Sequence, residues 1–135
     1  MRTKLLSTRE LKMSITEQIT SVFPDVEIGK YIVFGNKERS YTKPVVFSGK
    51  KGYTIVYYDL RGPIVTYHYN NYDEIYYCIL DIILSEMATN YARENPIARI
   101  TFRERYYNRI IELAQMFDDK TSEYFIAKYR NELEE

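Results

Sequence analysis

The sequence predicts an α+β fold: an N-terminal helix, an antiparallel sheet of three to four strands, then three C-terminal helices packed on the sheet. Three observations lead there. Apolar residues recur at helical spacing between Leu11 and Val22. Two stretches dense in strand formers, residues 53–58 and 64–69, flank the turn sequence DLRGP. From Asn71 onward the apolar period changes from two to 3.6. Strands grouped together and then helices grouped together are the order of an α+β chain, not of alternating βαβ units.

In the first helix Ser7 or Thr8 can cap the N-terminus, Leu11, Ile15, Ile19 and Val22 share one face, and Pro24 ends the element. Residues 27–34 are rich in β-branched and aromatic side chains and read as a strand, with Gly35 and Asn36 as a turn. Residues 45–47 read as a shorter strand. Residues 53–58 and 64–69 should then form an antiparallel hairpin, since Gly62 and Pro63 punctuate the segment between them. Asn71 followed three residues later by Glu74 resembles a capping box, and Asp73 with Glu74 puts negative charge at the positive end of a helix dipole. That helix runs to about Glu94. Its apolar residues, among them Ile75, Ile79, Leu80, Ile83, Leu84 and Ala88, cover more than the single stripe of a surface helix, so it belongs at the centre of the core. Asn95 and Pro96 break it. A further helix follows with Tyr106, Tyr107, Ile110, Leu113, Ala114 and Phe117 on one face, and residues 121–133 read as the last one.

At 135 residues the chain fits one domain, 1–135, large enough to bury roughly two-thirds of its unfolded surface without covalent staples. With 45% apolar and 28% charged residues it has the composition of a globular protein. No apolar run reaches the roughly 18 residues of a membrane span, and MRTKLLSTREL has charges where a signal peptide is apolar, so a cytoplasmic location is the expectation. The single cysteine, Cys78, permits no internal disulfide and fits a reducing compartment. Net charge is zero, which provides no global field for a polyanion. The balance is uneven, however: up to Gly52 there are ten Lys/Arg against five Asp/Glu, and after it nine against fourteen. The early excess lies in Lys30, Lys37, Arg39, Lys43, Lys50 and Lys51, as on sheet edges kept soluble by lysine.

Motifs that carry chemistry are sparse. One histidine, His68, and one cysteine are too few for a zinc site, and the five glycines form no phosphate-binding loop or nucleophile elbow. A Cys78–His68 pair is conceivable, with packing roles the simpler reading of each. Asp81, inside CILDIIL, could serve as a proton donor if buried. Yet Glu74, Asp81, Ser85 and Ala92 fall near one helical line, which reads as a solvent stripe. Arg103 is read as meeting Glu94 or Glu86 within the fold. The expectation is therefore no enzyme, no catalytic residue, no metal, no cofactor and no small-molecule substrate. A small hydrolase on Asp81 or Cys78 is the weakest of the three functional classes considered.

The stretch YYDLRGPIVTYHYNNYDEIYY, residues 57–77, holds seven tyrosines. Strand alternation places Tyr53, Ile55 and Tyr57 on one face of the hairpin and Thr54, Val56 and Tyr58 on the other; Ile64, Thr66 and His68 likewise oppose Val65, Tyr67 and Tyr69. One face must cover helices, leaving the other to present phenols to water. Tyrosine gives large contact area at small entropic cost, which suits protein interfaces. Stacking on nucleobases needs a basic groove, whereas Asp59, Asp73 and Glu74 flank this stretch. A nucleic-acid-binding accessory domain using the basic segment 30–51 is the alternative reading.

Taken together, strand 53–58, the Arg61-Gly62 turn, strand 64–69, the acidic helix start Asp73-Glu74-Ile75-Tyr76-Tyr77, Ala88 and Tyr91 late in that helix, and Phe102-Arg103 with Glu112-Leu113 resemble the immunity protein 63 family of bacterial polymorphic toxin systems. The resemblance covers about eighty residues. It departs from the family pattern at YARENP, where an acidic residue would follow the aromatic, and at Tyr106-Tyr107, where the pattern has Leu-Phe. It implies a cytoplasmic protein that neutralises a cognate secreted toxin domain by stoichiometric binding. On that basis the hairpin face is the expected docking surface, with Tyr57, Tyr67, Tyr69 and Tyr72 as anchors and Asp59, Arg61, Asp73 and Glu74 as charged contacts; no membrane takes part.

Overall fold

The computed structural model describes residues 5–134 and orders them as a helix, four strands and three helices, an α+β arrangement. The chain divides into two compact units, Met1–Ile79 and Leu80–Glu135, with the division inside the longest helix.

In the first unit, α1 (Thr8–Thr20) opens on a complete capping box: the Ser7 hydroxyl accepts from the Glu10 amide at 3.1 Å, and the Glu10 carboxylate accepts from the Ser7 amide at 2.9 Å. Leu11, Ile15 and Ile19, spaced four apart, are fully buried. Val22 lies past the helix end and is only half-buried.

Residues 27–34 depart from the expected strand. Ile28–Lys30 forms one turn of 3-10 helix, and only Val33–Phe34 pairs, as β1. The reason is visible in the spacing, since Ile28 and Ile32, both buried, stand four apart with Lys30 between them. A strand would force Lys30 onto the buried face, whereas a turn puts the two isoleucines together. The amides of Lys30, Tyr31 and Ile32 accordingly bond to Glu27 and Ile28 carbonyls, which removes them from any ladder.

The sheet has the order β1-β2-β3-β4, with β2 Val45–Gly49, β3 Gly52–Asp59 and β4 Gly62–Tyr69. It is mixed, correcting the expectation of a purely antiparallel sheet: β1 runs parallel to β2, with Val33 opposite Val45, while the other pairings are antiparallel. The connection between β1 and β2 is long enough to carry the chain back along a strand of two residues, so no hairpin is imposed there. Two-residue turns at Lys50-Lys51 and Leu60-Arg61 join the remaining strands. At Gly52 the backbone has φ 151°, and a Cβ there would stand 2.3 Å from the Tyr69 carbonyl oxygen, so only glycine lets the β3 entrance lie this close to the end of β4.

The register opposes Tyr53 to Tyr69, Ile55 to Tyr67 and Tyr57 to Val65, placing all six on one face with Val46 and Ser48 of β2. The opposite face carries Val45, Phe47, Thr54, Val56, Thr66 and His68. A shift between Tyr57 and Tyr58 leaves Ile64 as the extra residue of a bulge. The chain entering α1 is tied to the first of these faces: the Leu6 amide donates to the Tyr53 hydroxyl at 2.8 Å and the Ser48 hydroxyl donates to the Leu6 carbonyl at 2.5 Å.

α2 (Tyr72–Glu94) begins as its sequence suggests. The Asn71 side chain accepts from the Glu74 amide at 3.0 Å, but the Glu74 carboxylate reaches one residue further back, to the Asn70 amide at 3.1 Å. Its first two turns bury Ile75, Tyr76 and Ile79 in the first unit.

The second unit holds the rest of α2 with α3 (Phe102–Ala114) and α4 (Asp119–Glu134). Leu80, Ile83, Leu84, Ala88 and Ala92 of α2, Ile110, Leu113 and Ala114 of α3, and Phe125 and Tyr129 of α4 are buried, each set spaced three or four apart. Ala92 is fully buried and Asp81 and Ser85 half-buried, so the line expected as a solvent stripe is not one beyond Glu74. Arg105 joins the end of α2 to the approach to α3, donating to the Ala92 carbonyl at 3.1 Å and to the Ile100 carbonyl at 2.5 Å. Arg103 does not meet Glu94 or Glu86; its guanidinium donates to the Glu132 carbonyl on α4 and lies 5.2 Å over the Tyr107 ring.

Candidate functional site

β4 is an edge strand, and its middle is open to solvent. Ile64 is 61% exposed, Val65 37% and Tyr67 50%. Tyr57 and Tyr67 meet edge to face, centroids 6.4 Å apart and rings at 90°, an arrangement aromatic quadrupoles favour. Val65 and Tyr67, with half-buried Tyr57 beside them, form the exposed part of the first-named sheet face. The phenols Tyr57, Tyr67 and Tyr69 therefore share the face to which the start of α1 is tied, while Tyr58 is the one hairpin phenol on the other face, where the Arg39 guanidinium lies 5.7 Å over its ring.

Tyr69 is half-buried, and its hydroxyl donates to the Cys78 sulfur at 3.2 Å; burial, helped by that bond, raises its pKa well above the ordinary tyrosine value. Tyr72, at the first position of α2, shares a hydrogen bond with Ser14 of α1 at 2.9 Å and stacks on Tyr76 with centroids 5.9 Å apart. Burial raises its pKa too, against the opposing effect of the Ser14 bond.

The charged residues divide between the two ends of the hairpin. At the tip the Asp59 carboxylate accepts from the Arg61 amide at 2.7 Å and from the Arg61 guanidinium at 3.0 Å and 3.3 Å, so each already has a partner in the other. Asp73 and Glu74 stand at the far end, in the exposed first turn of α2. From Gly62 to Tyr69, at a rise of about 3.3 Å per residue, these ends are separated by roughly 23 Å. The eight residues singled out in the sequence thus make a tyrosine centre with a zwitterionic tip and an acidic base, not one cluster. Ile64 and Val65 were missed in the sequence reading. Their alternation signalled a half-buried strand, and only the sheet order reveals that the strand lies at the edge.

His68 and Cys78 are held apart by strand geometry. The His68 ring bonds the Thr54 hydroxyl at 3.1 Å on one face, and its neighbour Tyr69 bonds Cys78 from the other. Asp81 is likewise occupied: its oxygens accept from Lys128 at 2.6 Å, from Ser85 at 3.3 Å and from the Tyr129 hydroxyl. Burial and that last bond push the Tyr129 pKa far up. The arrangement clamps α2 to α4.

An open cavity of about 560 Å³ lies at the other end of β4, between Gly49-Lys50-Lys51-Gly52 and His68-Tyr69-Asn70, with both lysine side chains exposed. Among the described residues no group of three or more His, Cys, Asp or Glu could hold a metal ion, and no helix is long and apolar enough to cross a membrane. No protein-family model matches the chain, and no curated protein or solved structure is similar to it.

Proposed function

We propose that this chain is an immunity protein that binds and neutralises a cognate secreted toxin domain through stoichiometric protein–protein contact, without catalysis, inside the producing cell. The observation that carries the reading is the exposed pair Val65 and Tyr67 on the edge strand β4, with half-buried Tyr57 of β3 set edge to face against Tyr67. Contiguous apolar surface of this kind marks interaction sites on proteins of this size. The class of partner rests on the resemblance of the second half of the chain, over about eighty residues, to the immunity protein 63 family. Tyr67 and Tyr57 serve as anchors, and the acidic first turn of α2 selects and accelerates the encounter with a basic partner surface. Tyr69 and Tyr72, whose hydroxyls are engaged within the fold, brace that surface instead of inserting into a partner.

Co-expression with candidate toxin domains, taken first from genes neighbouring this one, tests the proposal. Cells should survive with the native protein, and Tyr67→Ala should weaken the complex by about 2 kcal/mol or more while leaving the fold intact. Unrelieved toxicity beside a folded native protein would refute it.

A second reading is supported by Arg39 over Tyr58 and by exposed Lys50 and Lys51 at the cavity: single-stranded nucleic acid along the basic segment 30–51. Binding of an oligonucleotide that weakens steeply with added salt would favour it over the toxin complex.

A further inference from the structure

We propose that β4 pairs with β4 of a second copy of this chain, antiparallel and about a two-fold axis, so that two four-stranded sheets become one of eight strands. The basis is the edge itself. Natural sheets blunt exposed edges with charge, short strands or proline, since an edge presents unpaired amides and carbonyls to any passing strand. β1, at one side of the sheet, is two residues long. β4, at the other, is eight residues long, and from Ile64 to Tyr72 the sequence IVTYHYNNY contains no Lys, Arg, Asp or Glu. Pro63, the second residue of the strand, and the bulge at Ile64 interrupt the row near the tip, leaving a regular edge from Val65 to Tyr69.

The occupant follows from what a two-fold axis brings together. Centred on Thr66, the pairing sets Thr66 against Thr66, and Val65 of each copy against Tyr67 of the other. Threonine–threonine and aromatic–β-branched pairs are among the favourable cross-strand neighbours. Residue numbers in each pair then sum to an even value, so side chains of like parity meet and the helix-bearing faces of both sheets stay on the same side. The same operation carries the hairpin tip of one copy to the base of the hairpin of the other. Arg61, whose side chain is 92% exposed, comes beside the acidic first turn formed by Asp73 and Glu74, and the contact occurs twice. This pairing shares Val65 and Tyr67 with the proposed toxin surface, but it is measured without any toxin, so its failure is distinguishable from failure of that reading.

Sedimentation of the full chain over rising concentration, to roughly 100 µM, should show a monomer–dimer equilibrium, as fits a small interface. Thr66→Lys, which sets two ammonium groups against each other at the axis, should abolish the dimer while the near-ultraviolet spectrum stays native. Arg61→Glu should weaken it severalfold. Paired residues of an antiparallel ladder have Cα atoms about 4.5–5.5 Å apart, within disulfide range. In a Cys78→Ser background Thr66→Cys should therefore crosslink two chains on mild oxidation, whereas Leu60→Cys, also exposed but at the tip, should not. A monomer at all concentrations overturns the proposal. So does a dimer that survives Thr66→Lys, or one that crosslinks through Leu60→Cys and not Thr66→Cys.

Discussion

The Tyr69 hydroxyl donates to the Cys78 sulfur at 3.2 Å, fastening the end of the edge strand to the second turn of the helix that follows it. Thiols accept weakly, so removing the hydroxyl with Tyr69→Phe should cost no more than about 1 kcal/mol, whereas Tyr69→Ala, which also empties packed volume, should cost about 3. Urea unfolding of the two variants separates hydrogen bond from packing.

The same tyrosine, with Tyr72 and Tyr129, makes stability fall in alkali. All three hold their protons above the ordinary tyrosine value, so between about pH 10 and their raised folded values the unfolded chain releases protons that the folded chain keeps. The folded state then binds more protons than the unfolded one, and stability drops as pH rises past about 10. Chemical denaturation at stepped pH should show this slope, and Tyr129→Phe should flatten it.

Asp81 acts as a joint between helices. Replacing it with alanine strands the hydroxyl of buried Tyr129 and removes the ion pair with Lys128, with an expected loss of about 1–3 kcal/mol. Asp81→Asn keeps an acceptor and should lose less. Thermal melts rank the two, and a larger loss for asparagine than for alanine would contradict this assignment.

All four helices begin on side-chain caps, and three of the removals, Ser7→Ala, Asn71→Ala and Asp118→Ala, should each cost about 1 kcal/mol. The Asp118 effect alone should depend on acid. Hydrogen bonds from Thr121 hold its carboxyl below the ordinary value, so its contribution is present above about pH 3.9 and fades as pH falls through the depressed folded value. Denaturation of Asp118→Ala and native protein at pH 7 and pH 3 checks the convergence.

Gly52→Ala should destabilise by more than about 1 kcal/mol, because the new methyl group meets the Tyr69 carbonyl and the backbone must leave φ 151°. Gly29→Ala, where nothing stands within 4 Å, is the comparison that should not.

Local signals in the sequence were sufficient for the hairpin, for α1 with its cap and for α2 from Tyr72 to Glu94, since each is written in a turn or a period that neighbours alone decide. Residues 27–34 were misread because β-branched content outweighed the four-residue spacing of Ile28 and Ile32. The direction of β1 against β2 depends on where a connecting loop returns the chain, which no residue within either strand encodes. At the candidate site, alternation correctly sorted Tyr53 and Tyr57 from Thr54, and Tyr67 and Tyr69 from His68. Whether those two sets shared a face depended on the length of the turn between the strands. DLRGP read as five connecting residues hides the answer, whereas the observed two-residue turn opposes Tyr53 to Tyr69. Asp81 was placed in solvent because a helical line shows which residues share an azimuth, not what lies opposite them.

Two-residue turns between β2, β3 and β4 keep every pairing of that meander close in sequence, so the entropy lost in closing each loop is small. Strands 45–69 are thus the part of the first unit able to assemble soonest during refolding, whereas β1 must wait for its longer connection to close. Nascent chain emerging with the meander complete would expose its uncharged border before helix α2 exists, and at that moment self-recognition and misassembly draw on one and the same surface.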